Sequence, residues 1–149
     1  MLEVLLKRLR SEAKPADAAQ ERRLAAAVLL LEVARADDAQ APAERAALRA
    51  GLVRDFGVAE PTVDALLEQA AARATASVSL FDFVQTLNRT TTQDDKRALL
   101  TLLWEVAHAD GRVDPHEEHL LRRIADLLHL SHADFIRGKL AASEKKPSS

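Results

Sequence analysis

The sequence predicts an all-α protein, a single bundle of seven to eight helices with an internal pseudo-twofold repeat. Apolar residues recur at helical spacing almost throughout the 149 residues, and alternating strand patterns are absent. Aromatic residues make up only 3% of the chain and there are four glycines, a composition typical of packed helices. A 20-residue unit also occurs twice, at 29–48 and 102–121, an offset of 73 positions (102 − 29) with 10 identical residues.

The helices of the first half are predicted from apolar spacing, and their ends from proline, glycine and capping residues. The first helix covers roughly residues 2–13, and Pro15 ends it. Its apolar face consists of Leu2, Leu5, Leu6 and Leu9. The next three helices are expected at about 17–37, 42–55 and 61–74, with prolines at or near the starts of the last two. A short fifth helix holds 80–87, with Ser79 as its N-cap.

The helices of the second half are predicted at about 93–109, 115–128 and 131–142. Ser131 and Asp134 resemble a capping box at the start of the last one. The second to fourth helices form repeat one, about 20–74, and the sixth to eighth form repeat two, about 93–142. Residues 1–142 are therefore expected to form one domain, followed by a disordered tail at 143–149.

The bulk properties exclude several classes of function. A net charge of −2 argues against nucleic-acid binding by the chain as a whole. The absence of cysteine excludes disulfides, thiolate metal sites and cysteine nucleophiles. The longest apolar run, 24–31, is far shorter than the roughly 20 residues that span a bilayer, so we expect no membrane insertion. No signal peptide is recognised at the N-terminus, and we expect a cytoplasmic protein.

Acidic residues recur at matching positions of the two repeats. Helical phase places four of them on inward faces, Asp37, Glu44, Asp110 and Glu117. Asp37 lies seven residues after Leu30 and Asp110 seven after Leu103, so each continues the apolar face of its helix. In each copy an aspartate at the end of one helix faces a glutamate, seven residues later, at the start of the next. The matched pairs are Glu32 with Glu105, Asp37 with Asp110, and Glu44 with Glu117.

Glu32 and Glu105 each interrupt an otherwise apolar stretch of a predicted buried helix. A charged carboxylate in such a place needs a partner or a proton. One alternative is an ion pair with an arginine of a packed helix. Another is a hard divalent cation such as Ca²⁺ or Mg²⁺, which prefers carboxylate oxygens. The available arginines are Arg97, Arg122 and Arg123.

Helix capping is the structural alternative for the acids at the helix starts. The sequence Asp114-Pro115-His116-Glu117 matches a capping box, with Asp114 as N-cap and Glu117 at the third helical position. The first copy has Ala41 at the cap position and still has Glu44. Capping therefore explains Glu117 better than it explains Glu44.

Two better-known metal motifs do not fit. The segment 110–117 is shorter than an EF-hand loop and has its glycine at the second position rather than the sixth. His116 and His119 are three residues apart, whereas a zinc-protease helix needs a spacing of four. A hydrolase that uses these histidines is the least favoured function. His108, His129 and His132 are expected to be surface or packing residues.

The two copies, EVARADDAQAPAE and EVAHADGRVDPHE, resemble the tellurite-resistance TerB-like family across roughly residues 20–142. The family is all-helical, with two such repeats, and includes bacterial cytoplasmic proteins and N-terminal domains of some membrane-attached DnaJ-like co-chaperones. The resemblance implies a divalent-metal site at Asp37, Glu44, Asp110 and Glu117, with Glu32 and Glu105 as additions. The first copy departs from the usual pattern at Asp38 and Ala41.

These observations favour a non-enzymatic protein that binds a divalent cation, with Ca²⁺, Mg²⁺, Mn²⁺ and Zn²⁺ as the candidates, and that takes part in a stress or tellurite-resistance type of response. The alternative is a helical module that binds a protein partner through an exposed helix face, with purely structural acids. The sequence does not specify the oligomeric state.

Overall fold

The computed structural model describes residues 15–35, 42–75, 80–109, 111 and 113–144. These residues form α-helices and one short 3-10 helix at Glu60–Thr62, and no strand occurs among them, which confirms the all-α fold. The α-helices are α1 (Pro15–Arg35), α2 (Pro42–Phe56), α3 (Val63–Thr75), α4 (Leu80–Thr90), α5 (Gln93–His108), α6 (Pro115–Leu127) and α7 (His132–Glu144).

Side chains that satisfy free backbone N–H groups fix the starts of the later helices. The Thr92 hydroxyl accepts a hydrogen bond from the Asp95 amide at 3.1 Å at the start of α5. At α7 the predicted capping box is present, because the Asp134 amide donates to the Ser131 hydroxyl and the Ser131 amide donates to the Asp134 carboxylate. Each box satisfies two amides that have no partner within the helix.

The hydrophobic core is built around α1 and α5. Residues 25–31 of α1 are all buried, so this helix is apolar on every side and lies in the centre of the bundle. It contacts α2, α3, α4, α5 and α6. Trp104 of α5, the one tryptophan of the chain, is fully buried. No helix of the described residues has both the length and the apolar character needed to cross a membrane.

The helix contacts of the two halves correspond. Contacts of α1 with α2, α3 and α6 match contacts of α5 with α6, α7 and α2, respectively. Matching residues of the two halves are 73 positions apart in α1 and α5. After α2 and α6 the separation becomes 72, as shown by Gly57 and His129, which both have left-handed backbones with φ of 63° and 61°. These features agree with the predicted repeat, and the repeat itself stays a prediction.

Two glycines allow helices to approach closely. A Cβ on Gly51 would lie 2.6 Å from Leu102 Cδ2, so α2 and α5 pack with backbone against side chain. A Cβ on Gly138 would lie 3.0 Å from Trp104 Cδ1, where α7 packs on α5. Small residues at these points hold the helices that carry the acids at short separation.

The helix ends differ from the predicted ones by a few residues. Pro15, predicted to end a helix, is the first residue of α1, because proline is well accommodated in a first helical turn. At the other end, α7 continues through Glu144, two residues past the predicted end at 142. The predicted helix at 2–13 lies outside the described residues, as do 145–149 of the predicted tail.

Candidate acidic site

Glu44 and Glu117 occupy equivalent places near the starts of α2 and α6. Each is the third residue of a helix that begins with proline, and each is fully buried, with 0% exposed area. Glu44 lies on the inward face of α2 together with Leu48 and Leu52, as helical phase predicts. Two carboxylates therefore lie inside the protein at helix N-termini, where the helix dipole favours negative charge.

Glu117 completes a capping box. The Asp114 amide donates to Glu117 Oε1 at 3.0 Å, and the His116 amide donates to Asp114 Oδ1 at 2.7 Å. The structure thus confirms the predicted capping role of Asp114 and Glu117. Capping engages one carboxylate oxygen of Glu117, and a carboxylate has acceptor capacity on both. The cap and a cation are therefore not mutually exclusive at this residue.

Glu105 forms an ion pair between α5 and α2. Arg54 Nη2 lies 3.1 Å from Glu105 Oε2 and 2.8 Å from Asp55 Oδ2. The hydrogen bond to Asp55 is the main factor that raises the pKa of Arg54 above its usual value; partial burial lowers it, and the bond to Glu105 adds to the rise. The Glu105 side chain is 13% exposed and that of Arg54 is 50% exposed, so the pair is shielded from water on the Glu105 side only.

The arginines expected to pair with Glu32 or Glu105 have other contacts. Arg97 lies 3.1 Å from Asp134 Oδ1 of α7 and 2.8 Å from Asp94. Arg122 lies over the Phe135 ring, 5.0 Å from its centroid. The predicted type of interaction, an arginine that neutralises Glu105, is thus correct, but the predicted donors are wrong. Among the described residues, no ion pair is found for Arg123.

Glu32 differs from its counterpart Glu105. It is half-buried on α1, not fully buried as its apolar neighbours suggest. Within the part of the chain that the structure describes, it forms no ion pair. The position 73 residues after Arg54 is Leu127, so α6 has no arginine at the equivalent place. The two matching acids therefore have different surroundings.

Asp37 and Asp110 lie outside the described residues, as does Ala41. Among the residues that are described, no three His, Asp or Glu side chains come together in a group that could hold a metal ion. Glu32, Glu44, Glu105 and Glu117 alone therefore do not make up a metal centre. A complete ligand set would have to include the two aspartates.

The histidines agree with their predicted packing or surface roles. His108 stacks on Trp104 with ring centroids 5.7 Å apart, and His132 stacks on Phe135 at 6.2 Å. His116 and His119 are both exposed on α6, which gives no support to a histidine-based hydrolase.

Asp134 has a role that sequence reasoning only partly found. Burial raises its pKa, but hydrogen bonds from the Ser131 amide and hydroxyl and from Arg97 outweigh burial and hold the pKa below its usual value. The capping box was recognisable from the spacing of Ser131 and Asp134. The contact with Arg97, 37 positions away, had no sequence signal, and it ties α7 to α5.

Lys139 is a second charged residue that sequence reasoning missed. Its ammonium group lies 3.3 Å from Glu118 and 5.5 Å from the centroid of the Trp104 ring. It therefore bridges α6, α7 and the buried indole of α5, and combines an ion pair with a cation–π contact. The contact is a packing feature of the bundle and supplies no ligand to the acidic site.

Comparison with protein families gives one match. The family model described as tellurite resistance protein TerB matches residues 23–140, which extends from within α1 to within α7 and includes all of α2 to α6. No curated protein and no solved structure matches the chain.

Proposed function

This chain belongs to the TerB family of tellurite resistance proteins, and we propose that it binds a divalent cation through its duplicated acids. The proposed ligands are Asp37 and Glu44 from the first copy and Asp110 and Glu117 from the second, with Glu32 and Glu105 as additional acids. The protein catalyses no reaction in this proposal. It acts in the cytoplasm, in a tellurite-resistance or related stress response.

The observation that carries the proposal is the burial of Glu44 and Glu117. Both are fully buried at the third position of a helix, in equivalent places 73 residues apart. A buried carboxylate costs free energy unless it is paired or bound to a cation. The cap at Asp114 accounts for part of the interactions of Glu117. Position 41, which corresponds to Asp114, holds alanine, whose side chain cannot accept a hydrogen bond as that of Asp114 does.

The donor chemistry fits a hard divalent cation. All the proposed ligands are carboxylates, which Ca²⁺, Mg²⁺ and Mn²⁺ prefer, while the exposed histidines do not add the nitrogen ligands typical of Zn²⁺. A bound cation would neutralise neighbouring acids and hold together the helix ends that carry them. Its effect would therefore be structural, a change in the stability or exposed surface of the bundle.

Isothermal titration with Ca²⁺, Mg²⁺, Mn²⁺ and Zn²⁺ tests the proposal directly. We expect heat of binding with at least one of them and a higher melting temperature in its presence, because a ligand that binds only the folded state stabilises it. Asp110→Asn combined with Glu117→Gln should abolish or strongly weaken binding. Asp37→Asn combined with Glu44→Gln tests the first copy.

A matched control separates ligand loss from a general loss of negative charge. Glu68 and Asp126 are exposed acids of α3 and α6 outside the proposed set, so Glu68→Gln with Asp126→Asn removes the same charge. This control should bind the cation like the unmodified chain. Absence of heat and of any melting-temperature rise with all four ions would refute the proposal, as would equal weakening by the control pair.

A protein-interaction module is the second candidate, and the exposed face of α7 favours it. Ile136 and Leu140 lie one turn apart and are 37% and 58% exposed. At the offset of 72 that holds after α2 and α6, their counterparts on α3 are the acids Asp64 and Glu68. Replacing Ile136 and Leu140 by serine should reduce capture of a partner while leaving cation binding unchanged. The Asp110 and Glu117 variant should give the opposite result if the cation is the functional ligand.

A further inference from the structure

Helix α4 has no counterpart among the described helices. The contacts of α1 with α2, α3 and α6 are matched by contacts of α5 with α6, α7 and α2, whereas the main contacts of α4 among the described helices are with α1 and α6. A twofold arrangement would place an equivalent helix against α5 and α2. The following inference therefore depends on the predicted repeat and is independent of cation binding.

The burial of α1 and α5 differs at two matching pairs of residues. On α1, Ala25 and Val28 are almost fully buried, with 2% and 1% exposed area. Their counterparts on α5, Ala98 and Thr101, are exposed and half-buried, respectively. The other contacts of α1 have equivalents on α5, so the missing cover corresponds to α4. One face of α5 thus lacks the helix that covers the same face of α1.

One segment of the chain precedes the first copy, as α4 precedes the second, and it has the same apolar spacing. The buried or partly buried apolar residues of α4 are Leu80, Phe83, Val84 and Leu87. Residues at the same intervals in the N-terminal segment are Leu2, Leu5, Leu6 and Leu9. In both segments the last leucine lies six positions before the first residue of the next helix, Gln93 or Pro15. The segment 2–9 therefore has the apolar face needed to occupy the equivalent place.

The charges of the segment complement those around the open face. A cleft of about 250 Å³ borders Ala98 and is lined by Arg22, Asp55, Phe56, Asp95 and Ala98. Arg22 lines the cleft, Asp55 is paired with Arg54, and the neighbouring Asp94 is paired with Arg97, so Asp95 is the carboxylate of this edge for which no ion pair is found among the described residues. The N-terminal segment is basic after its first leucines, with Lys7, Arg8 and Arg10. A basic segment that approaches this edge would meet opposite charge.

Chain length permits the placement. Arg23 of α1 corresponds to Lys96 of α5. Helix α1 starts eight residues before Arg23, and α5 starts three residues before Lys96. The N-terminal end of α1 is therefore longer by five residues, or about 7.5 Å. The five residues 10–14 can span up to about 17 Å when extended. They can therefore return along the extra length of α1 and place Leu9 beside α5.

We propose that residues 2–9 dock as a helix on α5 and α2, over Ala98 and Thr101, in the place that α4 occupies on α1 and α6. The occupant of this face is the N-terminal segment of the same chain. Docking buries its leucine face, covers Ala98 and Thr101 of α5 and brings the basic residues towards Asp95.

Cysteine labelling tests the proposal in the full chain, which contains no native cysteine. The probe is Ala98→Cys, and the matched control is Ala133→Cys on the exposed face of α7. Maleimide labelling of the probe should be at least about tenfold slower than that of the control, because reaction requires the segment to leave. Adding Leu5→Ser and Leu6→Ser should restore fast labelling of the probe and leave the control unchanged. The measurement is made in a chelating buffer, so its outcome does not depend on a bound cation.

Cross-linking supplies a second measurement that does not require a destabilised segment. A short bismaleimide should join Leu6→Cys to Ala98→Cys within one chain, and Leu6→Cys to Ala133→Cys should give no such product. Equal labelling rates for probe and control, or no cross-link from Leu6→Cys to Ala98→Cys, would overturn the proposal. A product that joins two chains would also overturn it, since the occupant would then be a second copy.

Discussion

Two substitutions at the start of α6 should separate helix capping from cation binding. Asp114→Ala removes the side chain that accepts from the His116 amide, but leaves Glu117 in place. Glu117→Gln keeps an oxygen that can accept from the Asp114 amide, now 3.0 Å from Oε1, because glutamine also serves at the third position of a capping box. The first change removes the cap, and the second removes the charge.

The expected magnitudes without cation follow from the two contacts. Loss of an aspartate N-cap costs about 1 kcal/mol, so Asp114→Ala should lower the free energy of unfolding by about that amount and the melting temperature by roughly 4 °C. Glu117→Gln retains the backbone contact and loses mainly the favourable interaction of a negative charge with the helix N-terminus, about 0.3–1 kcal/mol. Asp114→Ala should therefore be the less stable of the two variants.

The order should reverse when cation is present. At a free cation concentration of about 100 times the dissociation constant, binding adds about 2.7 kcal/mol to a folded state that holds the site. Asp114→Ala keeps its acidic ligands and should gain this stabilisation, whereas Glu117→Gln should gain much less. Urea unfolding followed by Trp104 fluorescence and by circular dichroism measures both, since this buried indole is the sole tryptophan.

The refuting result is specific. If cation raises the stability of both variants equally, Glu117 is not a ligand and its burial serves the cap alone. If Glu117→Gln without cation is destabilised as much as Asp114→Ala, the glutamine does not maintain the cap and the comparison no longer isolates charge. Glu44→Gln provides the parallel measurement in the first copy, where alanine occupies the cap position.

Three further predictions concern the packing that supports the site. Gly51→Ala should destabilise the protein by about 1–2 kcal/mol in urea unfolding, because its Cβ would overlap the buried Leu102, and Leu102→Ala in the same chain should make the glycine change nearly neutral. His129→Gly should raise the melting temperature by a few degrees, about 0.5–1 kcal/mol, since histidine there has a left-handed backbone; an unchanged or lower value would contradict this. Asp134→Asn should be destabilising at neutral pH. Because the pKa of Asp134 is lowered in the folded state, the difference from the unmodified chain should shrink as the pH falls below the unfolded value of 3.8, and a constant difference would refute that assignment.

The helices could be predicted because their signals are local. Prolines 42 and 115 begin helices, and the spacing of Ser131 and Asp134 specifies a capping box that the hydrogen bonds confirm. The start of α1 differs from the predicted one by two residues, at Pro15 instead of 17. Proline is common both after a helix end and in a first helical turn, so the residue type alone does not fix the start.

The partners of the acids could not be predicted in the same way. Arg54 and Glu105 are 51 positions apart, and their contact depends on the close approach of α2 and α5 at Gly51. Arg97, equally plausible from the sequence, instead reaches Asp134 on α7. Helical phase indicates which side of a helix a residue occupies, but the choice among several arginines depends on packing between elements distant in sequence.

The pair Glu32 and Glu105 shows how far a sequence repeat carries a functional argument. The two residues match in position, and the apolar pattern around them predicts the same role for both, that of a cation ligand or an ion-pair partner. Glu105 is paired with Arg54, which also binds Asp55, whereas the position that corresponds to Arg54 in the other half is Leu127 and no ion pair to Glu32 occurs among the described residues. The two matching acids of the predicted repeat therefore have different charged surroundings. A cation shared by the two halves would accordingly owe more to Glu32 than to Glu105, because an acid already neutralised by an arginine gains less from a second positive charge.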